Sequence, residues 1–115
     1  MKFFIALVFA LAVCGFASAQ GFDGGWVPTQ YDANNATLSN LESYGYEVAI
    51  DRATQSGYDN GDWVYQQVNG LDILIGEGTN YYRFTVEIEQ GSQGTADLIF
   101  VVSDPPLTFV SWQIN

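Results

Sequence analysis

From Tyr82 to Glu89 the chain changes character at every step: Tyr82, Phe84, Val86 and Ile88 are apolar, while Arg83, Thr85, Glu87 and Glu89 are polar. Successive side chains of a β-strand point to opposite faces, so a strict two-residue period dictates one buried face and one solvated face. Such a strand cannot stand alone, and its neighbours in sequence have matching character. The chain is strand-like from Trp63 onward, "GSQG" (residues 91–94) reads as a turn, and "ADLIFVVS" as the next strand. Asp104-Pro105-Pro106 forces a further turn before "LTFVSWQI" ends the chain. Short turns between alternating segments predict an antiparallel sheet with one wet face.

What covers the other face precedes the sheet. From Asp32 onward, Leu38, Leu41, Gly45, Val48, Ala49 and Arg52 recur at three- and four-residue spacing, the period of a helix, with Asp32 or Asn34 available to cap it. Gly45 costs such a helix about 1 kcal/mol relative to alanine, which is tolerable where the helix must lie close against a sheet. Gly57 and Gly61 within "TQSGYDNGD" (residues 54–62) end it. The expected fold class is α+β, with one long helix packed across a four- to five-stranded antiparallel sheet.

The first nineteen residues stand apart. Lys2 is followed by the uncharged apolar run "FFIALVFALAVCGFA" and by Ala17-Ser18-Ala19, a small-x-small cleavage pattern. This reads as a secretory signal peptide over 1–19, shorter than the roughly 20 apolar residues of a membrane span. The remaining 20–115 form one domain, secreted and extracellular. Its only cysteine, Cys14, lies in the leader, so the mature domain is stabilised without disulfides, by its sheet and its many aromatic residues.

Composition also narrows the chemistry. The chain has no histidine, which removes Ser-His-Asp and Cys-His sites and the usual zinc sites. Only carboxylates remain for acid–base work, and Glu87 with Glu89 on one strand face is better explained by solvation. Asp59-Asn60-Gly61-Asp62 lacks the further ligands of a calcium loop and reads as a turn. No enzyme activity, cofactor or metal is expected. After leader removal Arg52 and Arg83 face thirteen carboxylates, a surface that repels nucleic acid and anionic membranes. Asn35-Ala36-Thr37 is an N-glycosylation sequon, with Asn35 as the acceptor.

One further stretch, Gln66-Gln67-Val68-Asn69-Gly70, lies between apolar runs. Asn-Gly between strands is the strongest short hairpin signal, because a type I′ turn needs positive φ at both central residues. A hairpin tip is therefore expected here, with Val68 facing Leu71.

The pattern Gln66-x-Val68-x-Gly70 resembles the Gln-x-Val-x-Gly signature of the cystatins, inhibitors of papain-like cysteine proteases. Upstream, Gly24-Gly25-Trp26-Val27-Pro28 is similar to the Gly-Gly-Trp-x-Pro start of many cystatins, and downstream "GTNYYRFTVEI" (residues 78–88) is similar to their Gly-x-x-Tyr-Tyr strand. The resemblance spans residues 24–115. It implies a helix wrapped by an antiparallel sheet and a reversible, competitive mode of inhibition without cofactors. An N-terminal glycine segment and two hairpins would enter the cleft of a cathepsin-type protease. Carried over by position, the protease-binding residues are Gly24, Gly25, Gln66, Gln67, Val68, Asn69, Gly70, Pro105 and Pro106, on a monomeric inhibitor. Leu107 follows Pro106 where the family commonly has tryptophan, and Trp112 is expected in the core. Asp23 stands where the family places an apolar residue, so residues 20–23 are expected to add little to binding. The alternative is a secreted protein of cystatin fold that does not inhibit and serves in binding or structure.

Overall fold

The computed structural model describes residues 25–58 and 63–115. The expected signal peptide over 1–19, Asp23 and Gly24 of the arm, and the Asp59–Asp62 turn lie outside the described residues. A short strand β1 (Val27–Thr29) is followed by one helix, α1 (Ala36–Gln55), and then by β2 (Trp63–Ile75), β3 (Asn80–Gln90), β4 (Thr95–Asp104) and β5 (Thr108–Ile114). A single 3₁₀ turn, Gly91–Gln93, joins β3 to β4. The strands form one antiparallel meander in the order β1-β2-β3-β4-β5, and α1 packs against it. This is the α+β, cystatin-like layout expected from the sequence, with five strands.

The helix is capped one residue after Asn34 and three after Asp32, the two expected caps. Asn35 is the cap: its side-chain oxygen accepts the Leu38 N–H at 3.1 Å. The Asp32 carboxylate is occupied by the N–H of Asn34 at 2.9 Å, a local turn that leads into the helix and leaves the capping position to Asn35. At the other end Ser56 closes α1 and Gly57 takes φ 100°, a left-handed conformation that favours glycine.

The buried stripe of α1 is Leu41, Glu42, Gly45, Ala49 and Ala53. Small residues dominate it because the sheet comes close: a Cβ on Gly45 would stand 2.3 Å from Cε1 of Phe100 and 3.0 Å from Cγ1 of Val102. Opposite this stripe, β3 contributes Phe84, Val86 and Ile88, and β4 contributes Leu98, Phe100 and Val102, all fully buried. Phe84 and Phe100 stack at 5.4 Å between ring centroids, and Trp112 packs against the cluster as a partly buried core residue. The alternation read in β3 therefore sets which face meets the helix.

The largest departure from the sequence reading lies in β2. Asn69-Gly70 is not a hairpin turn: β2 runs unbroken from Trp63 to Ile75, and Val68 pairs with Val86 while Leu71 pairs with Phe84. Gly70 is not among the glycines with positive φ, which a type I′ turn would require. The register instead slips twice, between Tyr65 and Gln67 and between Val68 and Gly70, so Gln66 and Asn69 are the extra residues of two β-bulges. Bulges bend and twist a strand, which lets the first half of β2 curve around the helix. Gly76–Thr79 makes the actual turn, closed by the Gly76 N–H donating to the Thr79 carbonyl at 2.9 Å. Two glycines are needed there: Gly78 has φ 83°, and a Cβ on Gly76 would stand 2.6 Å from the Thr79 oxygen.

Candidate functional site

In an antiparallel meander, every second connection falls at the same end of the sheet. The β2–β3 turn over Gly76–Thr79 and the β4–β5 turn over Pro105–Leu107 share one end, since Asn80 pairs with Asp104. The two turns are bonded directly, the Thr79 hydroxyl donating to the Pro105 carbonyl at 2.8 Å. β1 reaches the same end from the other side. Val27 pairs with Ile73, so the chain before Val27 runs toward the last residues of β2.

The arm that carries β1 is fixed by a cluster on the outer face of the sheet. The Arg83 guanidinium donates from Nε and Nη2 to one oxygen of Asp72, at 3.2 and 3.0 Å. Its carbon lies 4.4 Å from the centre of the Trp26 ring, a cation–π stack. Arg83 and Asp72 pair across β2 and β3, and Pro28 is opposite Asp72, so the stack fastens the arm to two strands. Gly25 completes the approach. It has φ 99°, and a Cβ there would stand 2.8 Å from Cδ1 of Leu74.

Each segment at this end presents one large apolar side chain to solvent: Val27 is 57 % exposed, Ile75 69 % and Leu107 49 %. Exposed residues of this size ordered along one sheet end form an apolar ridge, where the informative feature is the grouping rather than any single side chain. Glu77, at the tip of the first turn, adds one exposed carboxylate.

The residues expected to bind a protease divide accordingly. Gly25, Pro105 and Pro106 lie at this end. Gln66, Gln67, Val68, Asn69 and Gly70 do not. They occupy the middle of β2, and at ~3.4 Å per residue Gly70 is roughly 17 Å from Ile75. Gln66, Gln67 and Asn69 are exposed, Val68 packs against the core, and the Asn69 side-chain amide donates to Glu87 Oε1 at 3.0 Å. Val27, Ile75 and the Gly76–Thr79 turn were not among the contact residues expected from sequence, and Leu107 was noted only as standing where the family commonly has tryptophan. The signal that reveals the turn is Gly76-Glu77-Gly78 directly after an apolar run.

Among the described residues Glu42 is the one charged side chain buried against the sheet, 6 % exposed. Tyr65, aimed at the helix from the bulged half of β2, is hydrogen-bonded to it and meets Tyr46 edge-on at 5.1 Å. Oε2 of Glu42 has no hydrogen-bond partner. Burial raises the Glu42 carboxyl above its ordinary value, against the smaller lowering effect of the Tyr65 bond. The Tyr65 hydroxyl is pushed up to about 12, first by burial and then by the nearby Glu42 charge. Tyr46 and Tyr31 are raised for the same two reasons. This cluster lies where the bulged half of β2 meets the helix, with Tyr65 itself partly open to solvent, and its tyrosines stay protonated at any physiological pH.

Among the described residues no group of three or more histidine, cysteine, aspartate or glutamate side chains is placed to hold a metal ion. The chemistry available at the sheet end is contact: apolar side chains, backbone at glycine, and stiff proline turns. Comparison with protein-family models, with curated proteins and with solved structures gave no match to this chain.

Proposed function

We propose that the protein is a secreted, reversible and competitive inhibitor of papain-like cysteine proteases, as its resemblance to the cystatins implies. The contact surface of this reading is the sheet end formed by Gly25–Val27, Ile75–Thr79 and Pro105–Leu107. One observation carries it: Val27, Ile75 and Leu107, from three separate segments, are all exposed along a single edge. An edge of that form matches a groove lined by apolar subsites, and burying it there removes apolar surface from water. Little ordering is needed on binding. The arm is stacked on Arg83, the turns are bonded to each other through Thr79 and Pro105, and both have conformations restricted by glycine geometry or proline. The segment that meets the cleft between the arm and the second turn is then Ile75–Thr79 rather than the Gln66–Gly70 motif.

The test is titration of papain and a lysosomal cathepsin with purified 20–115 at moderate salt. Reversible competitive inhibition at submicromolar concentration is the expected result. A folded sample that leaves both enzymes fully active would overturn the reading.

A second reading, a cystatin-fold secreted protein that binds a partner without inhibiting proteases, is favoured by Glu77. A carboxylate at the tip of the first turn must lose hydration if that tip enters a groove. Ile75→Asp separates the two readings: inhibition lost with an unchanged fold supports the first, and the absence of inhibition in the parent chain supports the second.

A further inference from the structure

We propose that Asn35 carries an N-linked glycan that stands on the flank of the apolar sheet end. Asn35-Ala36-Thr37 is the only Asn-x-Ser/Thr sequence in the chain, and acceptor asparagines of this type lie on the surface of secreted proteins. The fold adds two observations that the sequon alone does not supply. Asn35 and Thr37 are both exposed. The helix cap uses only Oδ1 of Asn35, which accepts the Leu38 N–H, and no hydrogen bond among the described residues engages Nδ2. Nδ2 is the atom that bears the sugar, and a glycosylated asparagine keeps its carbonyl oxygen. The cap and the modification are therefore compatible, and α1 begins in the same way with or without the glycan.

The bond formed joins Nδ2 to the anomeric carbon of an oligosaccharide. The bond broken joins that carbon to the diphosphate of a polyprenyl-diphosphate donor, which leaves with the electron pair while the amide loses one proton. In the folded protein, Thr37 and Leu107 line one depression together with Asn40, Leu41 and Asp104. A glycan rooted two residues before Thr37 thus starts beside the depression that Leu107 of the second turn also lines. The inference rests on residues 1–19 being a signal peptide, and it is independent of protease inhibition.

The experiment is expression of the full chain, with its own leader, in a eukaryotic secretory cell line, followed by intact-mass measurement of the protein in the medium. The expected result is a mass above that of the polypeptide, returned to the polypeptide value by peptide N-glycosidase with conversion of Asn35 to aspartate. Asn35→Asp, which keeps a capping oxygen, and Thr37→Ala, which leaves the cap untouched, are both expected at the bare polypeptide mass. Thr37→Ser is expected to retain the glycan. Secretion of the parent chain at the bare mass, a glycan that survives Asn35→Asp, or retention of the chain in the cytosol would each overturn the proposal.

Discussion

Ile75→Ser distinguishes the sheet end from the Gln66–Gly70 motif as the contact surface. Ile75 is 69 % exposed and directly precedes the first turn. Its side chain contributes little to the free protein, so the unfolding free energy is expected to change by no more than the ~0.5 kcal/mol typical of surface substitutions. In a protease cleft the same side chain would be covered. Full burial of an isoleucine stabilises by roughly 1.5–3 kcal/mol, and about two-thirds of it remains to be buried, leaving ~1–2 kcal/mol at stake. At about 1.4 kcal/mol per tenfold change, the inhibition constant for papain should rise roughly 5- to 30-fold. The paired control is the double substitution Gln66→Ala, Gln67→Ala, at exposed positions in mid-strand. That variant is expected to inhibit within about twofold of the parent, a change of under ~0.5 kcal/mol. A tenfold loss in the control with full inhibition by Ile75→Ser would refute the placement of the contact surface.

Gly45→Ala should destabilise the fold, because its new methyl group would stand 2.3 and 2.4 Å from the Phe100 ring. Overpacking of roughly 1–3 kcal/mol exceeds the gain in helix propensity of about 1 kcal/mol by up to about 2 kcal/mol, and the melting temperature should fall by up to roughly 15 °C. Arg83→Met removes both the Trp26 stack and the Asp72 ion pair, so amide hydrogen exchange over Val27–Thr29 should accelerate while β3 and β4 stay protected; unchanged exchange in β1 would show that the stack does not hold the arm. The Glu42 carboxyl is raised by burial above its ordinary value of 4.5, so the folded state binds its proton more tightly than the unfolded chain. Stability should therefore be greatest below that value and decline as pH rises through the raised one. Melting followed from about pH 4 to about pH 8 should show this decline in the parent and a flatter profile in Glu42→Gln; equal profiles would exclude Glu42 as its source. Removal of residues 20–23 should leave the inhibition constant within about threefold, and a hundredfold loss would show that Asp23 and its neighbours contact the enzyme.

Two levels of information in the sequence account for what could be read and what could not. Strands β3 and β4 alternate plainly because each is buried on one face along its length, and the turns at Gly91–Gly94 and Pro105–Leu107 carry residues with few other uses. The extent of α1 followed from its periodicity. Its cap lies beyond both expected positions because Asp32, Asn34 and Asn35 all have capping chemistry, and only the Asp32–Asn34 turn decides among them. Gly45 was legible as a close approach because a glycine within a helical stretch is costly without one. The arm was placed through the family resemblance, which could not reveal that Arg83, the fourth residue of β3, secures Trp26.

Asn69-Gly70 is informative because its local chemistry fits two structures. Glycine and asparagine permit a hairpin turn, and they equally permit the extra residue of a bulge. What separates the outcomes is the apolar spacing on either side. Residues of β2 paired with the core-facing positions of β3 are Tyr65, Val68, Leu71 and Ile73, so the spacing is three, three and two. A strand of period two that takes two steps of three must hold two additional residues, which are Gln66 and Asn69. A hairpin at residues 69–70 would instead have placed Val68 opposite Leu71 and left Phe84 and Val86 without their partners in β2. Those bulges also aim Tyr65 at Glu42, so the same irregularity that moves the motif away from the sheet end accounts for the hydrogen bond to a buried carboxylate. The segment that most resembles a binding loop thus wraps the sheet around the helix, and the apolar edge is left to the turn eight residues beyond Gly70 at Gly78.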